Sequence, residues 1–404
     1  MNVFPWFQPI IEIASGEVAG YEALARTTDV QGQIISAANL FSSPSLSREE
    51  RLNLDRDIRL QALTKFNSLR QGQFLSLNIS PEWINSVTAT GELPTLEMLK
   101  QVGVRPEQVV LEITELDGDL DRICLFAERY RSEGVKIAYD DFGAGFQQMD
   151  RVLAFTPDFI KLDMRMFQTG PKTHFHSALM QTVGEMSARL GCKVIFEGVE
   201  TPDEFFAALH CNASYIQGFI FSPAKAEFLN VDSMKTQTME LISQHLDMAI
   251  DEVARRQFYT EGLHSELMLL KDLLLSGGTD SLNTWHPDPD VLRFYICNRS
   301  GTQISSNFTY DVSQGVWVED AAYAGHNWSW RPYFYQLLGA TDFERRIMSS
   351  SPYYDLETGQ ECSTLSLSLD DARILLVDIR EERKSQGRLA SLISCHSDLI
   401  PALS

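Results

Sequence analysis

The chain has 404 residues, 44% of them apolar and 22% charged, which is material for more than one folded core and argues against disorder. Its formal net charge of −21 excludes a general grip on DNA or RNA, because that needs a basic surface to meet phosphates. No stretch reaches the roughly 18 apolar residues of a membrane span, and the six cysteines (Cys124, Cys192, Cys211, Cys297, Cys362, Cys395) lack any CxxC pair. Free thiols in a reducing compartment, no zinc site and a cytoplasmic location are therefore expected.

Phe7 to Ile13 reads as a strand, Ser15-Gly16-Glu17 as a turn, and Val18 to Leu24 as a second strand. The turn is too short for a crossover, so this opening pair is antiparallel. Residues 34 to 70 are predicted mostly helical, with Leu52, Leu54, Ile58 and Leu63 at helical spacing. Apolar strands then alternate with helices: Phe74 to Asn78, Val109 to Thr114, Val135 to Asp140, Phe159 to Asp163, Val194 to Glu197, and Ile216 to Phe221. That alternation predicts an α/β fold with a parallel sheet and helices outside. With the opening pair there are eight strands, enough for a TIM-like (β/α)8 barrel with one antiparallel strand.

The polar residues on these strands carry the functional signal. Asn78, Glu112, Asp140, Lys161 and Glu197 stand at or near the C-terminal ends of successive strands, where barrel enzymes collect their catalytic groups. Gln217 is the exception, falling near the start of its strand. Asp140 and Asp141 are adjacent and are followed by Gly143 and Gly145. Adjacent carboxylates read either as a solvated turn or as ligands of a divalent cation that relieves their repulsion. Burying several unpaired carboxylates costs several kcal/mol each, so the set as a whole favours cations.

Tyr21-Glu22-Ala23-Leu24-Ala25-Arg26 resembles the signature of the EAL family of cyclic di-GMP phosphodiesterases. The resemblance continues in order through Leu75 to Ser80, Leu111 to Glu115, Asp140 to Gly143, Lys161 to Asp163, Glu197 to Glu200, and Gln217 to Phe219, and covers residues 1 to about 228. It implies two Mg²⁺ or Mn²⁺ ions. Glu22, Asn78, Glu112 and Asp140 would hold one, and Asp140, Asp141 and Glu197 the other. Lys161 would hydrogen-bond the attacking water, Glu200 would support the site, and Gln217 would meet substrate or a water at the metals. Gln8, Leu24 and Arg26 would meet the substrate, Arg26 through a phosphate, and Glu115 would hold the loop from Asp141 to Phe146. The family linearises cyclic di-GMP to 5′-pGpG, and a homodimer is implied. Hard oxygen ligands suit Mg²⁺ or Mn²⁺ better than zinc.

Two departures stand out. The family loop usually reads Gly-Thr-Gly-Tyr-Ser-Ser, and here it is Gly143-Ala144-Gly145-Phe146-Gln147-Gln148. After Phe221-Ser222 the family has a basic residue before Pro, whereas here Pro223 follows at once and Lys225 comes later. The altered loop keeps a second reading open, a catalytically weak or inactive receptor that acts by binding cyclic di-GMP. No GGDEF-like signature is present, so cyclase activity is not expected.

From Asp232 to Leu275 the pattern is helical, and Met239, Ile242, Leu246, Ala249 and Val253 form a heptad-like stripe. Such a stripe packs either against a domain or in a coiled coil, and Gly262 marks a candidate break. Beyond it Leu292 to Cys297, Thr302 to Ser305, Val316 to Glu319, Thr364 to Leu369 and Ile374 to Asp378 read as antiparallel strands. The aromatic runs Asn327 to Phe334 and Tyr353 to Gly359 resemble the YkuI-type C-terminal domain and, more loosely, PAS and Cache sensor folds. Arg331, Tyr333 and Asp355 could line a small-molecule ligand pocket, Arg331 meeting an acid and Asp355 an amine. Alternatively Arg331 and Asp355 pair with each other within a core. The expected organisation is a barrel at 1–228, a helical linker at 229–278 and a sensor-like domain at 279–404, which would regulate the barrel.

Overall fold

The computed structural model describes residues 2–41, 45–69, 72–84, 88–113, 120–142, 155–164 and 174–381. The chain divides into two units between Leu246 and Asp247.

The first unit is a closed barrel. Its strands are β1 Val3–Glu12, β2 Val18–Thr28, β3 Ile34–Ser36, β4 Phe74–Asn78, β5 Val109–Ile113, β6 Lys136–Tyr139, β7 Phe159–Asp163, β8 Lys193–Glu197 and β9 Tyr215–Ile216. The order around the sheet is β1-β9-β8-β7-β6-β5-β4-β2, and the β1–β2 pairing closes the ring. β1 runs antiparallel to both neighbours, β2 and β9, while the other adjacent pairs of the ring are parallel. β3 only extends the far end of β2. Residues 34 to 70 are mostly helical as expected, in Ala38–Phe41 and Arg48–Phe66, and the exception is the strand Ile34–Ser36.

Local chemistry sets the helix starts. Ser47 and Glu50 form a reciprocal capping box before Arg48–Phe66, and Thr201 and Glu204 form another before Pro202–His210. Pro202 and Pro94 occupy first helical turns, where a missing N–H costs nothing.

One apolar layer fills the barrel lumen: Ile10, Phe74, Val110, Ala138, Phe159, Ile195 and Tyr215, one from each of seven strands. β2 supplies Gly20, where a Cβ would lie 2.7 Å from the Phe74 ring, so only glycine leaves room for that ring. The alternate residues Leu75, Leu77, Val109, Leu111, Ile160 and Leu162 are buried as well, so the strands are covered on both faces. The expected run Ile216–Phe221 is not one strand. β9 ends at Ile216, and the chain then turns tightly over Val199.

The second unit holds a sheet ordered β12-β11-β10-β16-β15-β13, with β14 also paired to β15. Its strands are β10 Val291–Asn298, β11 Asn307–Asp311, β12 Val316–Asp320, β13 Ile347–Ser349, β14 Tyr353–Tyr354, β15 Glu361–Ser368 and β16 Arg373–Arg380, all antiparallel. The strand expected at Thr302 to Ser305 falls instead at β11, and Thr302 and Gln303 make only isolated bridges.

A helix spans Lys235–Gly277 without a break at Gly262, which has open space around it. Its buried stripe is Leu263, Leu267, Leu270 and Leu274, packed with Phe294, Leu365, Leu367 and Val377 on one face of the sheet. Of the heptad-like stripe Met239, Ile242, Leu246, Ala249 and Val253, Ile242 and Ala249 are partly buried while Leu246 is 55% and Val253 62% exposed in this chain. Tyr295, Cys297, Tyr333, Phe334, Leu337, Ile374 and Leu376 form a second core on the other side of the sheet. No helix of the described residues is long and apolar enough to cross a membrane. The described cysteines, Cys124, Cys192, Cys211, Cys297 and Cys362, are free thiols.

Candidate active site

Side chains on a strand point to one face every second residue. Stepping two residues from each lumen-filling position toward the C-terminal ends of the parallel strands therefore lands on the next layer. On β4 to β9 those positions are Ser76, Glu112, Asp140, Lys161, Glu197 and Gln217. From Gly20 on β2 the step reaches Glu22, and on the antiparallel β1 the step from Ile10 runs backward to Gln8, which is in register with Glu22. Every strand of the ring thus gives one polar residue to a layer resting on an apolar floor. Gln217 lies at the C-terminal end of its strand, not near its start, because β9 is only two residues long.

The centre of this layer is the Lys161 ammonium, 1% exposed. Its Nζ stands 2.6 Å from Glu197 Oε1, 2.8 Å from Glu112 Oε1, 3.1 Å from Asp140 Oδ1 and 3.5 Å from Glu22 Oε2. The amide groups fix Glu22 further: Asn78 Nδ2 donates to Oε1 at 2.9 Å and Gln217 Nε2 to Oε2 at 2.7 Å. The Ser76 hydroxyl donates to Glu112 Oε1 at 2.5 Å.

These contacts decide where charge is tolerated. Burial opposes the Lys161 cation, but Asp140, Glu112, Glu197 and Glu22 together drive its pKa well above the ordinary value, so it stays protonated. Burial would raise Glu22, yet Lys161 and the hydrogen bonds from Gln217 and Asn78 outweigh it and the carboxyl falls below its usual range. Burial and the neighbouring carboxylates win at Glu112, which is pushed well up. Burial also pushes Glu197 up to about 8, against the pull of Lys161. Asp141 rises through burial and the charge of Asp140. Its φ of +52° lies in the left-handed region, which Asp tolerates, and its backbone N–H donates to Asp140 Oδ1 at 3.0 Å.

The residues present fit hard divalent cations by donor chemistry. Glu22, Glu112, Asp140, Asp141 and Glu197 set five carboxylates against one ammonium, and Asn78 adds a neutral amide. The buried Glu112 Oε2 lacks a hydrogen-bond partner, a buried oxygen lone pair of the kind a cation satisfies. Among the described residues, however, no three acidic, histidine or cysteine side chains stand in a coordination arrangement as they are. Lys161 Nζ stands at the focus of four of these carboxylates, through one oxygen of each.

The other sequence candidates separate. Gln8 is on the rim of the same layer, with Gln217 Nε2 3.4 Å from its Oε1 and its own Nε2 3.5 Å from Ser222 O. Leu24 and Arg26 follow on β2. The half-buried Arg26 donates to Ala25 O, and burial lowers its pKa. Glu200 is exposed at the entrance to the Pro202–His210 helix. There its backbone N–H donates to Glu204 Oε2 at 2.7 Å. Glu115 and the loop Gly143–Gln148 lie outside the described residues. Lys225 is exposed and pairs through its backbone with Phe7.

In the second unit Asp355 is neither open to an amine nor paired with Arg331, the alternative reading. Asp355 accepts from Arg293 instead, and Thr358 caps its other oxygen. Arg293 also donates to Asp378 at 2.8 Å and to Glu357 at 2.6 Å, so one cation serves three carboxylates. Arg331 lies over the Trp330 ring at 4.2 Å, and Tyr333 is buried in the second core.

Sequence reasoning missed Ser76 as a member of the polar layer and Arg293 as the hub of the second unit. The signal for Ser76 was its place two residues after Phe74 and two before Asn78.

The EAL domain family matches residues 1–224, and the EAL-domain associated signalling protein domain matches residues 227–383. Over 389 residues the chain is 27% identical to the uncharacterized EAL-domain containing protein YkuI of Bacillus subtilis, covering 94% of each. The crystal structure of that protein with c-di-GMP and calcium superposes with a TM-score of 0.82, over 96% of this chain and 97% of that one, at 23% identity. The cyclic di-GMP phosphodiesterase RocR of Pseudomonas aeruginosa is 27% identical over 226 residues, which is 54% of this chain and 56% of that protein.

Proposed function

Since the chain belongs to the EAL domain family, we propose that it is a metal-dependent phosphodiesterase that opens cyclic di-GMP to 5′-pGpG. The observation that carries this reading is the convergence of Glu22, Glu112, Asp140 and Glu197 on one buried point of the barrel, with Asn78 and Gln217 bracing Glu22. Glu22, Asn78, Glu112 and Asp140 would hold one Mg²⁺ or Mn²⁺, and Asp140, Asp141 and Glu197 a second. The ions, when bound, supply a nucleophile at neutral pH and neutralise the phosphate.

Lys161 would hydrogen-bond the attacking water and help polarise it. Gln8 and Gln217, in hydrogen-bond contact at the rim, orient the substrate, and Arg26 meets a phosphate oxygen. Leu24 lines the same strand end. Glu200 and Glu115 keep the supporting roles that the resemblance implies. The second unit regulates the barrel as a ligand-sensing module, with Arg331 and Tyr333 as candidates for its small-molecule ligand, and the protein acts as a homodimer in the cytoplasm.

The test is incubation of the purified full chain with cyclic di-GMP and Mg²⁺ or Mn²⁺, with chromatography for pGpG. Glu22→Ala and Glu197→Ala should each abolish turnover, and near-normal hydrolysis in both would overturn the role assignment. Tight binding of cyclic di-GMP by the unaltered protein with no pGpG formed would instead establish a receptor.

A further inference from the structure

The metal ligands of the preceding reading need their own orientation, and one buried hydroxyl supplies it. Ser76 is 0% exposed, on β4 between the lumen-filling Phe74 and the rim residue Asn78. It is the only uncharged hydroxyl among the eight layer positions (Gln8, Glu22, Ser76, Glu112, Asp140, Lys161, Glu197 and Gln217). Its Oγ donates to Glu112 Oε1 at 2.5 Å, and Lys161 Nζ lies 2.8 Å from the same oxygen. The other oxygen, Oε2, is buried and accepts nothing. The carboxylate is therefore pinned by one oxygen and presents the other.

We propose that Ser76 is a positioning residue of the metal site, holding the Glu112 carboxylate so that Oε2 is directed to the cation. Lys161 alone cannot do this, because its ammonium is divided among four carboxylates at 2.6 to 3.5 Å. A hydroxyl donor also suits the task better than a second ammonium would. It fixes the geometry without adding a positive charge that would compete with the cation. Serine is small enough to sit above Phe74 in the lumen, and the alternative side chains with donors are larger.

The inference rests on the metal-dependent reading above, and the experiment separates the two. Mn²⁺ alone is titrated into the full-length protein, the Ser76→Ala variant and the Ser76→Cys variant, which keeps the volume with a weak donor, and binding is followed by calorimetry. Removing such a supporting hydrogen bond weakens metal affinity by about 10–100-fold. Both variants should show that loss, and the Mn²⁺ concentration needed for half-maximal turnover should shift with it. The KM for cyclic di-GMP at saturating Mn²⁺ should stay within about twofold, which a general loosening of the barrel would not preserve. Wild-type Mn²⁺ affinity in either folded variant would overturn the role of Ser76 while leaving the metal site standing. Failure of the unaltered protein to bind Mn²⁺ would overturn both.

Discussion

Replacing Lys161 by Met tests the electrostatic design of the site most directly. The two side chains are of similar length, so the change removes the charge and keeps most of the volume. In the cation-free protein it leaves Glu22, Glu112, Asp140 and Glu197 facing one another with no counter-charge at their focus. Removing one partner of a buried ion pair costs about 3–5 kcal/mol. The four carboxylates share that one partner, so the upper end of the range applies when all are ionised. For a unit of this size each kcal/mol is worth about 2–4 °C in Tm, so the upper end corresponds to a drop of about 10–20 °C. Protonation offers relief: Glu112 and Glu197 are already pushed up, and without Lys161 they rise further. The deficit should therefore be large at pH 8 and shrink toward pH 5. Calorimetric melting in EDTA at both pH values measures it, and adding Mn²⁺ should recover more stability in the variant than in the unaltered protein. Melting within about 2 °C of the unaltered protein at pH 8 would refute the claim that Lys161 is the counter-charge of the layer.

The metal-free protein itself should lose stability as pH rises between 4.5 and about 8, because the folded Glu197 holds its proton in a window where the unfolded chain has released it. The slope for that group is at most about 1.4 kcal/mol per pH unit. Glu112 acts in the same direction and Glu22, whose pKa is lowered, in the opposite one below 4.5. Urea denaturation in EDTA across that range, repeated with Mn²⁺, should show the slope and then its flattening. Gly218→Ala places a Cβ 1.9 Å from Val199 O and 2.5 Å from its N, so the turn carrying Gln217 must shift. A loss of about 1–3 kcal/mol and weaker cyclic di-GMP binding are expected, measured by chemical denaturation and calorimetry. In the second unit Arg293→Met leaves the buried Asp378 uncompensated and should cost about 3–5 kcal/mol, whereas Glu357→Ala, at a side chain 44% exposed, should cost no more than about 1 kcal/mol. Equal melting of these two variants would show that Asp378 does not depend on Arg293.

The barrel was legible because its strands are short, apolar and regularly spaced, and because each ends on a polar residue that an apolar lumen would not otherwise admit. What was not legible depends on closure of the ring. Lys161 reads along the chain as one basic residue on one strand. Its place at the focus of four carboxylates follows only from bringing β2, β5, β6 and β8 around it. Ser76 carries little signal of its own along the chain, because a serine between two leucines is indistinguishable from core, whereas Asn78 closes the strand. Gln217 was placed at the wrong end of its strand because Ile216 to Phe221 is mostly apolar. The close approach of Gly218 to the Val199 backbone, which ends the strand, is a tertiary fact.

In the second unit the misreading has a different origin. Arg331 and Asp355 stand out by type, as the conspicuous cation and anion of two aromatic runs, but charge pairing is decided by sheet register. β10 and β16 place Arg293 opposite Asp378, and the loop after β14 brings Asp355 and Glu357 to the same guanidinium. The sequence shows Arg293 beside Phe294, so on a strand the two face opposite ways. Phe294 fills the core under the long helix, which leaves Arg293 on the face with Tyr295, Cys297 and the second core. A charged residue there needs buried partners, and three carboxylates for one cation is more than neutrality requires. The excess of acid over base thus recurs in both units, each gathered around a single buried or half-buried cation. In the barrel the layer is bracketed by amide donors, Asn78 and Gln217, and one carboxylate oxygen is left unsatisfied. Around Arg293 the buried carboxylate oxygens are taken instead, those of Asp378 by Arg293 and Thr364 and those of Asp355 by Arg293 and Thr358. On the proposed reading, that difference in satisfaction, more than the charge itself, separates a barrel cluster open to a cation from an Arg293 cluster whose carboxylates are already paired.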